Sequence, residues 1–425
     1  MSAIKALKSV SLLWVGSLLG SGSTFAIYTI LAREMGPEIF GVFSSALATI
    51  TIFSLLAGFG VSQFWLKVFG EEGWEGVRWI KPSLLFVLLT LLVITVIVFL
   101  FSLLSINDNV TGKLILLLVF YIYGHISVEL VASKFQLEEK YSSLALWKLL
   151  PNFIRFIFIL CCYYILNISL SLLDLGLIYA FVGLIFTVLG VGKLLEMSSG
   201  NLDLKGHLAI EKSKLRKPNI IAVFKEVWPF GVANLFAFIY VQSDIIMVKY
   251  ISGDTQAGYY NVAFVILTAI LIIPTILFGK FLMPKYHRWA NHNKEKFYDT
   301  YKKSNFVMIL TGLVIMILLF FLANILISLV FGSDYASSIN LLKILALTLP
   351  ISFLAYSIGA TLVTKEHMKL KVLLMGVTAV INILLNVILI SKYGAEGAAV
   401  STVISNLILL TLYFAVVKKR IFIKT

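Results

Sequence analysis

Apolar residues recur along the chain in runs of about twenty, separated by short stretches where glycine, proline and charged residues concentrate. A run of about 17–25 residues with few charges is long enough for a helix rising 1.5 Å per residue to cross about 30 Å of hydrocarbon. Runs of this kind occupy residues 11–32, 41–66, 83–105, 114–133, 147–166, 172–192, 226–248, 258–282, 304–330, 338–362, 370–390 and 395–417. The pattern predicts an all-α, polytopic membrane protein with about 12 transmembrane helices. In 425 residues, twelve spans of about 20 leave no room for a folded soluble domain.

Composition agrees: 60% of residues are apolar and 13% charged, with a mean hydropathy of +0.98. A net charge of +14 raises nucleic acid as a partner. That partner requires a basic face on a folded domain, whereas here the basic residues lie in short loops between spans. With twelve spans, 29 of the 35 Lys and Arg fall on the side that holds both termini. Arg33, Lys113, Lys249 and Lys392 fall on the other side, and Arg155 and Lys343 lie within spans. Basic loops stay cytoplasmic, so both termini are expected inside and no nucleic-acid partner is expected. The first apolar run exceeds the 7–15 residues of a signal-peptide core and reads as a retained span. Cys161 and Cys162 are adjacent inside an apolar run and read as buried small hydrophobes.

One turn occurs twice. Gly36 and Gly41 bracket PEIF, and 217 residues later Gly253 and Gly258 bracket DTQA, in each case between two apolar runs. A long basic stretch, 193–225, separates six runs from six. Both halves therefore enter the membrane in the same sense, which makes them parallel repeats. The expected organisation is a six-helix lobe at 1–192, a cytoplasmic linker at 193–225, a second six-helix lobe at 226–417 and a cytoplasmic tail at 418–425.

LAREMGPEIFGVF (Leu31 to Phe43), the GFG at Gly58 to Gly60, and the Asp244…Gly253…Gly258-Tyr259 stretch resemble bacterial polysaccharide-biosynthesis membrane proteins. So do FGSDYASS (Phe331 to Ser338), LLKILAL (Leu341 to Leu347) and KYGAEGAAVSTVIS (Lys392 to Ser405). The resemblance implies the O-antigen and lipid-linked oligosaccharide flippases of the multidrug/oligosaccharidyl-lipid/polysaccharide exporter superfamily. It further implies a central cavity lined by spans one, two, seven and eight, in lobes that rock to give alternating access. The implied cargo is an undecaprenyl-pyrophosphate-linked oligosaccharide moved to the outer leaflet of the bacterial cytoplasmic membrane. A polysaccharide polymerase or chain-length machinery is a further implied partner.

No enzyme is predicted, because neither a nucleotide-binding loop nor a nucleophile elbow occurs. His125, His207, His287, His292 and His367 form no metal-ligand pair with an intramembrane carboxylate. No cofactor is expected; coupling to H+ or Na+, the membrane potential or the cargo's own gradient would drive transport. An ionised group at the centre of a span costs about 2.5–3.5 kcal/mol on insertion scales, so such groups mark candidate sites. Asp244 reads either as a structural hydrogen-bonding group or as a coupling carboxylate or gate. Arg33 reads as its outer partner, in a salt bridge to Asp244 or to Glu34. Arg155 reads either as a snorkelling residue or as a cationic wall facing a pyrophosphate. Lys343 reads as snorkelling, and Glu129 as a partner of His125, four residues away.

The remaining candidates are conformational. Gly20 and Gly22 sit in a small-residue run that allows close packing or a hinge. Gly36, Gly41, Gly253 and Gly258 read as tight-turn glycines. Pro274 and Pro350 are expected to kink their helices, and Pro229 to mark a turn leading into span seven. The amides Asn382, Asn386 and Asn406 are expected to hydrogen-bond between helices. Two rival functions share parts of this pattern. A drug or cation antiporter requires an acidic pocket, for which only Glu129, Asp244 and Asp174 are available; a membrane glycosyltransferase or ligase requires large outer loops, which are absent here.

Overall fold

The computed structural model describes residues 3–104, 108–204, 217–282, 286, 289, 294–362 and 368–420. Every regular element among them is helical. The α-helices are α1 (Ala3–Gly58), α2 (Val61–Glu72), α3 (Ile80–Ser102), α4 (Asn109–Leu117), α5 (Val119–Leu137), α6 (Tyr141–Leu160) and α7 (Leu172–Ser198). They continue with α8 (Ile220–Ser252), α9 (Asp254–Ile276), α10 (Lys294–Val330), α11 (Ser337–Ala346), α12 (Thr348–Thr361) and α13 (Met368–Arg420). Nine helical stretches among the described residues are long and apolar enough to cross a membrane. Two of these, Leu12–Ser102 and Met368–Lys419, run for 91 and 52 residues. The protein is thus an all-helical, multi-pass membrane protein.

Glycine sets the breaks. Gly36 in α1 has φ 73° and Gly394 in α13 has φ 58°, so each of these long elements is two helices joined at a bend. Pro37 follows Gly36 directly, matching the preference for Gly just past a helix end and Pro at the first position of the next. Gly253 (φ 95°) and Gly332 (φ 101°) stop α8 and α10 in the same way. Asp174 is accounted for as a cap: Ser171 and Asp174 close a reciprocal capping box at the start of α7.

The prolines depart from expectation in two places. Pro229 lies inside α8, which runs unbroken from Ile220. Pro350 occupies the first turn of α12, where an amide donor has no helical partner to lose, and span ten breaks ahead of it, at Leu347. Pro274 lies inside α9, which passes just beyond it into a π-helical turn, Leu277–Leu282. Gly20 and Gly22 lie in helix with no bend between them, the only non-helical backbone in α1 being Gly36. Helices also outrun the apolar runs, because hydropathy measures lipid contact rather than helix length. Of the expected linker, 193–198 belongs to α7 and 220–225 to α8; residues 205–216 and 421–425 lie outside the described residues.

The chain forms two compact units, Met1–Ile30 with Ala46–Leu235, and Leu31–Ser45 with Phe236–Thr425. In the first, α5 and α7 pack through small residues: a Cβ on Gly124 would come within 2.5 Å of the Gly183 Cα. Ser127 donates to the Phe186 carbonyl at 2.7 Å across the same contact. In the second, the two related turns pack against each other. A Cβ on Gly41 would collide with the Asp254 carbonyl, and one on Gly258 with the Pro37 carbonyl. Only the first glycine of each pair has the backbone of a turn; the second is helical and is required for close approach, which corrects the expectation for Gly41 and Gly258. Fully buried Tyr335 completes this contact, donating to the Ala32 carbonyl at 3.0 Å and meeting Phe40 and Tyr259 edge-on.

Candidate functional site

Both units bury charged side chains: Lys134, Glu138 and Arg155 in the first, Asp244 and Lys249 in the second. In the second unit, α8 carries Asp244, 1% exposed, to a point where α9 and both halves of α13 converge. Tyr260 and Thr402 donate to its Oδ2 at 2.7 and 2.5 Å, and Asn386 Nδ2 donates to its Oδ1 at 2.5 Å. Asn386 also donates to Asn382 Oδ1 at 3.1 Å, and that oxygen accepts from Ser243 at 3.2 Å. Beyond Thr402, Asn406 donates to the Thr402 carbonyl at 2.8 Å and accepts from Ser352 at 2.8 Å. Among the described residues, Asp244 forms no ion pair and the buried Asn386 Oδ1 accepts no hydrogen bond.

Hydrogen bonds to a charged group contribute about 1.5–3 kcal/mol each, so three of them offset the insertion penalty of one carboxylate. The cage consists of oxygen-bearing groups around a carboxylate: two hydroxyls and two amides. Rotating Asn386 by half a turn would aim its carbonyl at Asp244, an arrangement that is favourable only with a proton or a hard cation between them. Among the described residues, no cluster of three His, Cys, Asp or Glu forms a transition-metal site.

In the first unit, α6 carries Arg155, 6% exposed. Its guanidinium carbon lies 5.0 Å from the centroid of Tyr121 on α5 and 4.6 Å from that of Tyr179 on α7, the two rings being 6.0 Å apart. Nη1 donates to Asn152 Oδ1 at 3.0 Å, and among the described residues Nε has no acceptor. Arg155 lines a cavity of about 200 Å³ together with His125, Glu129, Lys148 and Asn152. Glu129 pairs with Lys148 at 3.1 Å, while His125 Nδ1 lies 2.8 Å from the Ser54 hydroxyl. The expected Glu129–His125 pair is therefore replaced by two separate pairs.

The other candidates lie elsewhere. Arg33 is exposed and its Nη2 donates to the Leu329 carbonyl at 2.5 Å. It therefore bonds neither Asp244, whose partners are all neutral, nor Glu34. Lys343 is half-buried in the last turn of α11, away from both clusters. His207, His287, His292 and His367 lie outside the described residues. Asn382, Asn386 and Asn406 hydrogen-bond as expected. Sequence reasoning missed Tyr260 and Thr402, the latter 158 residues from Asp244 in the chain. The available signal was Asn382 and Asn386 spaced one helical turn apart in an apolar run.

Residues 6–289 match the family model described as polysaccharide biosynthesis protein. The probable low-salt glycan biosynthesis flippase Agl15 of Haloferax volcanii is 24% identical over 404 residues, covering 92% of this chain and 79% of that protein. The capsular polysaccharide biosynthesis protein CapF of Staphylococcus aureus is 22% identical over 420 residues, covering 97% and 99%. Among solved structures, the lipid II flippase MurJ in an inward closed conformation is similar, with a TM-score of 0.72 and 16% identity over 96% of this chain and 87% of that one.

Proposed function

The chain belongs to the polysaccharide biosynthesis protein family, and we propose that it is a flippase rather than an enzyme. It moves an undecaprenyl-pyrophosphate-linked oligosaccharide from the inner to the outer leaflet of the cytoplasmic membrane by alternating access. The observation that carries this reading is the Asp244 cage: a buried carboxylate held by Tyr260, Thr402 and Asn386, with no counter-cation. A transporter without a nucleotide site draws on a gradient, and an intramembrane acid among oxygen donors is what a proton or Na+ requires. Two relatives whose names refer to glycan or capsular polysaccharide biosynthesis align over more than nine-tenths of this chain.

The nine apolar stretches correspond, on this reading, to twelve crossings. At 1.5 Å per residue, 91 helical residues would extend about 135 Å, enough for three passes of about 30 Å. Gly36 and the Gly58–Gly60 turn divide that stretch, and Gly394 divides the 52-residue one. The 29-to-4 partition of Lys and Arg then favours cytoplasmic termini. The repeated lobes, 1–192 and 226–417, are topological halves, and the packing units depart from them at 31–45 and 226–235.

The test is the leaflet distribution of lipid-linked sugar after depletion of the protein. Build-up on the inner leaflet is expected; an unchanged distribution would overturn the assignment. Sugar flipping that responds to a proton or Na+ gradient in the wild type and loses that response in Asp244→Asn would identify the coupling site.

A further inference from the structure

We infer that the first unit contains a phosphate-binding site of its own, built on Arg155. A guanidinium presents two edges that can grip an oxyanion with two parallel N–H donors. The Tyr121 and Tyr179 rings, 6.0 Å apart, pack beside this one, and Asn152 takes Nη1. Arg155 lines the cavity, and among the described residues its buried Nε has no acceptor. A buried donor left unpaired is costly, and the two ring faces beside the guanidinium favour a cation at this position. The cavity of about 200 Å³ exceeds many times over the 10–15 Å³ or so that one water requires.

The mouth of the cavity is formed by Lys148 and Glu129, whose side chains are 50% and 38% exposed, against 6% for Arg155. Counting Arg155, Lys148 and Glu129, the lining carries one net positive charge. An entering phosphate accepts from Arg155 and draws Lys148 from Glu129. Glu129 is thereby a competitor that lowers affinity and excludes weaker anions. Basic pockets between membrane helices are suited to lipid headgroups, and free phosphate offers the same oxygens; the chemistry is shared and the sources are separable by experiment.

The experiment follows the unfolding midpoint of the full chain in maltoside micelles, titrated with potassium phosphate against potassium chloride of matched ionic strength. A parallel titration uses polyprenyl phosphate against polyprenol. A rise with inorganic phosphate supports a free-phosphate site, and a rise with polyprenyl phosphate alone supports a headgroup site. Arg155→Lys retains the charge but loses the planar edge, and is expected to weaken binding about tenfold or more. Glu129→Gln is expected to tighten it several-fold, an effect that a purely structural pocket residue would not give. Indifference of the wild type to both phosphates overturns the proposal, as does an Arg155→Lys titration that superimposes on the wild type. The inference does not rest on the flippase assignment: phosphate binding can be present in a chain whose depletion leaves lipid-linked sugar in place, and the reverse.

Discussion

Arg155 and Asp244 bring the same problem, an ionised group deep inside a helical unit, to two different solutions. Asp244 accepts hydrogen bonds from side chains on α9 and α13 and lies in a closed cage. Arg155 has one hydrogen-bond acceptor and two ring faces, and it borders a cavity. The acid is held by hydroxyls and amides that can turn, so its environment can be rearranged by a small cation. The base packs beside two rings and leaves donor capacity unused among the described residues. Small mobile charges suit the first arrangement, and larger oxyanions suit the second.

The largest expected difference is in stability. Asp244→Leu would remove three hydrogen bonds to a carboxylate, from Tyr260, Thr402 and Asn386, at about 1.5–3 kcal/mol each, offset in part because Thr402 can donate to the Ala398 carbonyl and Tyr260 to Thr402. A total loss of at least about 3 kcal/mol is expected. Arg155→Leu removes one hydrogen bond and two ring contacts of about 0.5–2 kcal/mol each, and vacates a position that had unpaired donors. Its loss should be smaller. Unfolding midpoints in micelles decide the matter, and an equal or larger effect at Arg155 would break the contrast.

One glycine from each unit differs in the same sense. Gly258→Val in the second unit would drive a side chain into the Pro37 carbonyl, and overpacking of this kind costs about 1–3 kcal/mol. Gly20 in the first unit has nothing within 4 Å of an added Cβ. Gly20→Ala is therefore expected to be neutral or stabilising by up to about 1 kcal/mol, the helix-propensity difference. If Gly20→Ala impairs sugar flipping while raising the unfolding midpoint, the hinge reading of the small-residue run in α1 regains support. If it leaves flipping unchanged, α1 moves as a rigid element.

Much of the helical plan was legible in the sequence because burial in lipid demands long apolar runs, and the breaks came at glycines. Asp244 was legible for the same reason, since a carboxylate inside such a run requires an explanation. Its partners were not. Thr402 and Asn386 lie more than 140 residues away, and a lone Thr or Asn in a span resembles dozens of others until helices are brought together. The Arg33–Asp244 pairing failed because opposite charges at matching depths suggest attraction, whereas neutral donors already satisfied the acid. The cavity at Arg155 was invisible in principle, as a void arises from packing and has no residue of its own.

The smallest effect tests whether the first unit leaves charges open by necessity. Glu138, at the turn between α5 and α6 and 2% exposed, shows that it does not. Lys134 lies 2.7 Å from one carboxylate oxygen and Lys140 2.9 Å from the other, and the Asp203 amide donates to Glu138 at 3.4 Å. Burial pushes this carboxyl upward, but the two lysines and the amide outweigh it and hold it below the ordinary Glu range. A carboxyl whose folded-state value is depressed stabilises the fold fully above its unfolded value, about 4.3, and loses that contribution as pH falls through the depressed folded value. The wild type should thus unfold at a higher temperature than Glu138→Gln at pH 7, by an amount that shrinks as pH drops below about 4. Lys140 is 46% exposed, so screening limits the gain to about 1 kcal/mol. A pH-independent difference would mean that Glu138 acts through packing alone, leaving the first unit without any ionically satisfied buried charge to set against Arg155.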